Sequence, residues 1–174
     1  ILMAIFMVAP GLLSSLGGYD SAHLWEVYLP VILLSFILMV PAVFYTETRR
    51  IHKVALEIAV AALAVVLALM PLASHNFYTL VILFVGFFIA FNILEALQPS
   101  LVSRVAPVEY KGLALGFYNT AQSLGVFAGA TLGGVITSRG EPSKVFLLAA
   151  ALAFVSFLTA RGFRMGPGGR GADG

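Results

Sequence analysis

The chain has 174 residues, 60% hydrophobic and 10% charged, with a mean hydropathy of +1.00 and a formal net charge of +2. Soluble domains carry about 25% charged residues, so this composition excludes a soluble globular domain, a disordered chain and a nucleic-acid-binding domain. There is no cysteine, hence no disulfide framework and no thiolate chemistry, and the chain reads as an all-α polytopic membrane protein.

A helix needs about 20 apolar residues to cross a bilayer. Six apolar runs are present, and they are continuous rather than alternating, so they predict helices and not barrel strands. The first, Ile1 to about Ser14, is short. It has neither a starting Met nor the basic stretch of a signal peptide, so the chain is expected to begin inside a transmembrane helix, as a fragment. The others run over about 27–45, 55–73, 77–97, 113–136 and 144–160. Together they predict a six-helix bundle over residues 1–162, followed by a flexible Gly-rich tail over 163–174. Trp25 and Tyr28 at the start of the second run, and His75, Phe77 and Tyr78 at the start of the fourth, read as interfacial anchors.

Connections between spans alternate sides, so the basic residues can be pooled. One side holds Arg49, Arg50, Lys53, Arg104, Lys111, Arg161, Arg164 and Arg170; the other holds Arg139 and Lys144. The excess places the first group, and with it the C-terminus, in the cytoplasm.

Ionisable groups within spans are costly and need a reason. Glu57, two residues into the third span, can snorkel to the headgroups. Glu95 is more informative, because Asn92, Glu95 and Gln98 form a polar stripe on the fourth span. Two readings of Glu95 stand side by side: an ion pair with Arg49 or Arg50 that ties a loop to the bundle, or a carboxyl that binds and releases a proton during transport. In the fifth span, Gly125, Gly129 and Gly133 recur every fourth residue, and Gly112 and Gly116 form a second pair. Such small-residue ridges let helices approach closely in lipid. Tyr118, Asn119, Gln122 and Ser123 on the same helix add polar groups that pure packing does not need. His23, His52 and His75 have no metal-ligand spacing, and no Ser-His-Asp or paired-carboxylate set can be assembled, so no enzyme is expected.

The six-span order, the stretch YTETRRIHK between spans two and three, and above all Phe91 to Gly134 (FNILEALQPSLVSRVAPVEYKGLALGFYNTAQSLGVFAGATLGG) resemble the C-terminal half of a major facilitator superfamily transporter. The branch resembled is that of proton-coupled drug-efflux proteins of bacterial inner membranes. The resemblance implies that the spans correspond to helices seven to twelve of that fold, facing a missing N-terminal six-helix half across a pseudo-two-fold axis. It implies that Arg49 and Arg50 mirror the arginines of the family's first-half loop motif, and that Glu95 pairs with them. It further implies a cytoplasmic gate at Lys111 and Gly112, and a substrate cavity to which Phe88, Asn92, Tyr118 and Gln122 are expected to contribute. The expected energy source is a proton gradient with no cofactor. The expected partners are the lipid bilayer, the missing half and a small amphipathic or cationic organic substrate, with no nucleic acid. The alternative is a non-transporting six-helix scaffold or a homodimerising membrane module.

Overall fold

The computed structural model describes residues 1–18, 20–73 and 76–162, apart from the side chains of Ser21 and Pro142. The expected tail, with Arg164 and Arg170, and the expected anchor His75 lie outside the described residues. Those described form six α-helices and no strand: α1 (Leu2–Gly17), α2 (Trp25–Arg49), α3 (His52–Leu69), α4 (Phe77–Val105), α5 (Lys111–Ser138) and α6 (Pro142–Gly162). Single 3-10 turns precede α2, α4 and α5.

Each helix corresponds to one of the six apolar runs, most with longer ends, while α3 gives way to its 3-10 turn at Met70 inside the expected run. The largest difference is α4, which continues past the expected end near Leu97 to Val105, through Pro99. Apolar length marks where lipid ends and not where the backbone stops hydrogen bonding, so QPSLVSRV extends the helix beyond the apolar run. Asn76 caps its start by accepting a hydrogen bond from the Thr79 amide at 3.2 Å. Gly18 ends α1 in the left-handed conformation, φ 68°, where a glycine carries no Cβ penalty. The helices α2, α4, α6 and α3 with its trailing 3-10 turn are long and apolar enough to cross a membrane. The α1 helix is apolar but has 16 residues, about 24 Å; α5 is long, but glycines and polar side chains dilute its apolarity.

The core is built around α4. Its buried side chains, Leu80, Phe84, Phe87, Phe88, Leu94 and Leu97, recur at three- and four-residue spacing, the stripe a helix presents to its neighbours. The α2 and α3 helices pack on it, α3 packs on α6, and α1 packs on α5. Exchanging α1 with α4, α2 with α5 and α3 with α6 maps α2–α4 onto α1–α5, α3–α6 onto itself, and α3–α4 onto a smaller α1–α6 contact. The bundle is thus two three-helix repeats, and because equivalent helices are offset by three, an odd number of crossings, the repeats are inverted. Outside this core, α2 exposes Leu33, Phe36, Ile37, Val40 and Phe44, a surface suited to lipid rather than water.

Candidate functional site

Two parallel helices, α2 and α4, are pinned at two levels. Asn92 Nδ2 donates to Ser35 Oγ at 3.2 Å, and the fully buried Ser35 hydroxyl donates to the Ile32 carbonyl at 2.7 Å. Twelve residues further along each helix, Arg104 Nη2 donates to Glu47 Oε2 at 2.8 Å. Both pairs span 57 residues of sequence, so the register is constant. Ser100 Oγ donates to Glu47 Oε1 at 3.4 Å, and Arg104 Nε donates to Ser100 Oγ at 3.3 Å. Buried His52 brings Nε2 to 3.0 Å from Glu47 Oε1, within ion-pair distance but not aligned as a hydrogen bond.

This cluster corrects the expected pairing of Glu95. Among the described residues, no ion pair joins Glu95 to Arg49 or Arg50; the carboxylate that gathers nitrogen-bearing side chains, Arg104 and His52, is Glu47. The Arg49 guanidinium lies 5.7 Å from the Tyr45 ring centroid, and Arg50 closes α2 in a left-handed conformation, φ 53°. Glu47 and Arg104 belong to helices that turn out to be neighbours, which no local spacing reveals. The only sequence signal was a lone acid in a basic stretch. Because Glu47 and Arg104 are 41% and 52% exposed, their coupling should be about 1 kcal/mol or less. A double-mutant cycle of Glu47→Gln and Arg104→Gln on unfolding in detergent checks this; a larger coupling would mean the pair is dry.

Glu95 instead faces α5. Gln122 Nε2 donates to Glu95 Oε1, and one turn nearer the basic end the Tyr118 hydroxyl donates to Gln98 Oε1 at 3.1 Å. The polar stripe of α4 therefore divides, with Asn92 turned to α2 and Glu95 and Gln98 to α5. Pro99 has no N–H to offer the Glu95 carbonyl, so this turn of α4 also lacks one backbone bond. Glu95, Gln98, Gln122, Phe91 and Gly125 line a cleft of about 390 Å³ that α1 closes through Met3. Gln98 and Tyr118 also line an apolar groove of about 770 Å³ with Lys53 and Tyr110.

Of the four expected cavity residues, Gln122 lines the cleft and Tyr118 the groove, whereas Asn92 serves the α2 seam. Phe88 is a correction. It is 6% exposed, with its ring centroid 5.3 Å from Phe87 and 6.0 Å from Phe6. Side chains of this same chain bury it, so it belongs to the core. Tyr28 departs similarly from the anchor role. It packs on Phe6 at 6.2 Å, and its buried hydroxyl has no hydrogen-bond partner. Trp25 and Tyr78 are exposed. Glu57 pairs with Lys53 at 3.6 Å. His52, in the stretch between the second and third apolar runs, opens α3 and is buried.

The glycine ridge divides as well. A Cβ on Gly133 would stand 2.8 Å from Ala4 Cα, whereas one on Gly129 would meet Ile1 and Ala4 backbone at ordinary distances. These are the points where α5 crosses α1. A Cβ added at Gly112, Gly116 or Gly125 would meet nothing within 4 Å among the described residues.

This arrangement of inverted three-helix repeats has a family counterpart. The Major Facilitator Superfamily profile matches residues 49–171, well over half of the chain and all of α3 to α6. The chain belongs to this superfamily. The inner membrane transport protein YajR of Escherichia coli (strain K12) is 40% identical over 155 residues, covering 89% of this chain and 34% of that protein. An uncharacterized transporter of Buchnera aphidicola subsp. Acyrthosiphon pisum (strain APS) is 32% identical over 129 residues, 74% of this chain and 33% of its own length. A second, from Buchnera aphidicola subsp. Baizongia pistaciae (strain Bp), is 26% identical over 160 residues, 91% of this chain and 40% of its own. The chain thus spans about a third to two fifths of the length of these relatives. Six helices are consistent with half of a superfamily fold, and Glu95, Gln122 and the glycine ridge all lie within the matched residues.

Proposed function

We propose that this chain is the C-terminal six-helix half of a secondary active transporter that works by alternating access in a bacterial inner membrane. The proposal includes a cytoplasmic C-terminus and export of small organic compounds driven by a proton gradient, with Glu95 binding and releasing the proton. One observation carries it. The α5 helix has 28 residues, and of these only Gly133 is buried within the chain. Yet α5 displays Tyr118, Asn119, Gln122 and Ser123 alongside four glycines, Gly112, Gly116, Gly125 and Gly134, with no atom of another helix within 4 Å of an added Cβ. Lipid is a poor neighbour for such a face, whereas a second six-helix half and a water-filled pathway would suit it. In this reading Gly112 and Gly116 lie toward the other half, at the cytoplasmic gate.

The test uses the product of the complete gene in proteoliposomes with an imposed pH gradient. Wild-type protein should drive uptake of an organic substrate, and Glu95→Gln, which keeps the amide contact but cannot ionise, should abolish proton-driven movement while leaving membrane insertion intact. Undiminished coupled transport by Glu95→Gln would remove the proton role from Glu95. Absence of any coupled transport by the wild type across a substrate panel would count against the transporter reading.

A further inference from the structure

Between the Gln98–Tyr118 hydrogen bond and the turn that joins them, α4 and α5 face each other with apolar side chains. Leu101 and Val105 on α4 are one turn apart, as are Leu113 and Phe117 on α5, so each pair lies on one side of its helix. A seam of this pattern normally interdigitates. Here it stands open as a groove of about 770 Å³, with α3 contributing Leu56 and Lys53 and with α1 taking no part. Val105, Leu113 and Phe117 are all exposed. Gln98 and Tyr118 close the inner end and bond to each other, so the interior makes no further call for a polar ligand. The cationic group sits at the other end, where Lys53 is on the first turn of α3 and Tyr110 is in the α4–α5 turn.

We infer that this groove is a lipid site, holding one acyl chain of an anionic phospholipid with its phosphate at Lys53. Hydrocarbon suits the wall, because none of its atoms needs a hydrogen bond. The choice of headgroup follows from charge. Lys53 is the charged side chain among the described lining residues, Lys111 directly follows the lining Tyr110, and Arg161 directly follows the lining Ala160. The acids nearby are Glu109 and Glu57, which leaves the rim with three cations against two anions. Glu57 lies 3.6 Å from Lys53 Nζ, and an ammonium has three donors, so Lys53 retains N–H groups for a phosphate. A basic pocket between spans that opens onto lipid selects anionic headgroups in this way. The inference depends on the chain lying in a membrane and not on what it transports.

The test is native mass spectrometry of the purified product of the complete gene, titrated with phosphatidylglycerol or phosphatidylcholine of identical chains. The first phosphatidylglycerol should bind about fivefold more tightly than the first phosphatidylcholine. Lys53→Gln should bring the two within about twofold while leaving phosphatidylcholine binding as in wild type, which also shows that the variant is folded. Ala114→Trp, which fills the groove from α5, should weaken both lipids. Lys144→Gln, paired with Glu141 beyond the far end of α5, should keep the full preference. Equal affinity of wild type for the two lipids overturns the site, and is the result expected if another part of the complete protein covers the groove. A preference that survives both Lys53→Gln and Ala114→Trp also overturns it, because the headgroup is then held elsewhere.

Discussion

Replacing Gly133 with alanine should destabilise the bundle by about 1–3 kcal/mol, and leucine should do more. The added Cβ would lie 2.8 Å from Ala4 Cα and 3.2 Å from the Ala4 carbonyl oxygen. Both are backbone atoms of a packed helix and cannot swing aside as a side-chain tip does. Relief requires α5 to move away from α1, losing close dispersion contacts that lipid chains fill less well. Gly125→Ala provides the contrast, because its Cβ meets nothing within 4 Å. It should be neutral or gain up to about 1 kcal/mol from helix propensity. Thermal unfolding in detergent, followed by circular dichroism, reads both. A Gly133→Ala midpoint equal to wild type would mean that the α1–α5 approach is loose enough to absorb a methyl group.

A comparable loss, about 3 kcal/mol or more, is expected for Phe87→Ala. Phe87 is fully buried. Its ring stands edge-on to Phe88 at 5.3 Å and stacks on Phe91 at 5.9 Å with a 17° tilt. Removing it leaves a cavity in the helix on which α2 and α3 both pack, and the lost ring contacts are not replaced by a neighbour. Phe36→Ala, on the exposed face of α2, exchanges ring–lipid contacts for methyl–lipid contacts and should change stability by well under 1 kcal/mol. Unfolding of the two variants in the same detergent gives the comparison. Similar values for both would show that the aromatic cluster contributes little beyond filling space.

The helical architecture was legible because lipid imposes a length requirement that soluble proteins lack, and because basic residues mark one end of each span. Lys53, Val105, Leu113 and Ala160 indeed come together around one groove, which brings the expected cytoplasmic ends of α3, α4, α5 and α6 to one side of the bundle. What remained hidden was which helices touch. The stripe of Asn92, Glu95 and Gln98 was visible, but its division between α2 and α5 follows from the inverted-repeat packing and from no local pattern. The same cause explains Glu47. Its partner Arg104 lies 57 residues away, and Arg49 and Arg50 stood closer in sequence as candidates. Phe88 was misjudged because an aromatic ring near polar residues reads as cavity lining until its burial is known.

The twin pins of α2 and α4 have a mechanical consequence. Ser35–Asn92 and Glu47–Arg104 are twelve residues apart along each helix, about 18 Å. The buried Ser35–Asn92 contact resists sliding of one helix on the other, and the exposed Glu47–Arg104 pair adds a weaker restraint at the far end. The α1–α5 pair is different, with its tightest approach at Ala4 and Gly133, near one end of α5. The α5 helix is tied to α4 by two hydrogen bonds, Gln122 to Glu95 and Tyr118 to Gln98, which can exchange partners without unpacking the buried core around Phe84 and Phe87.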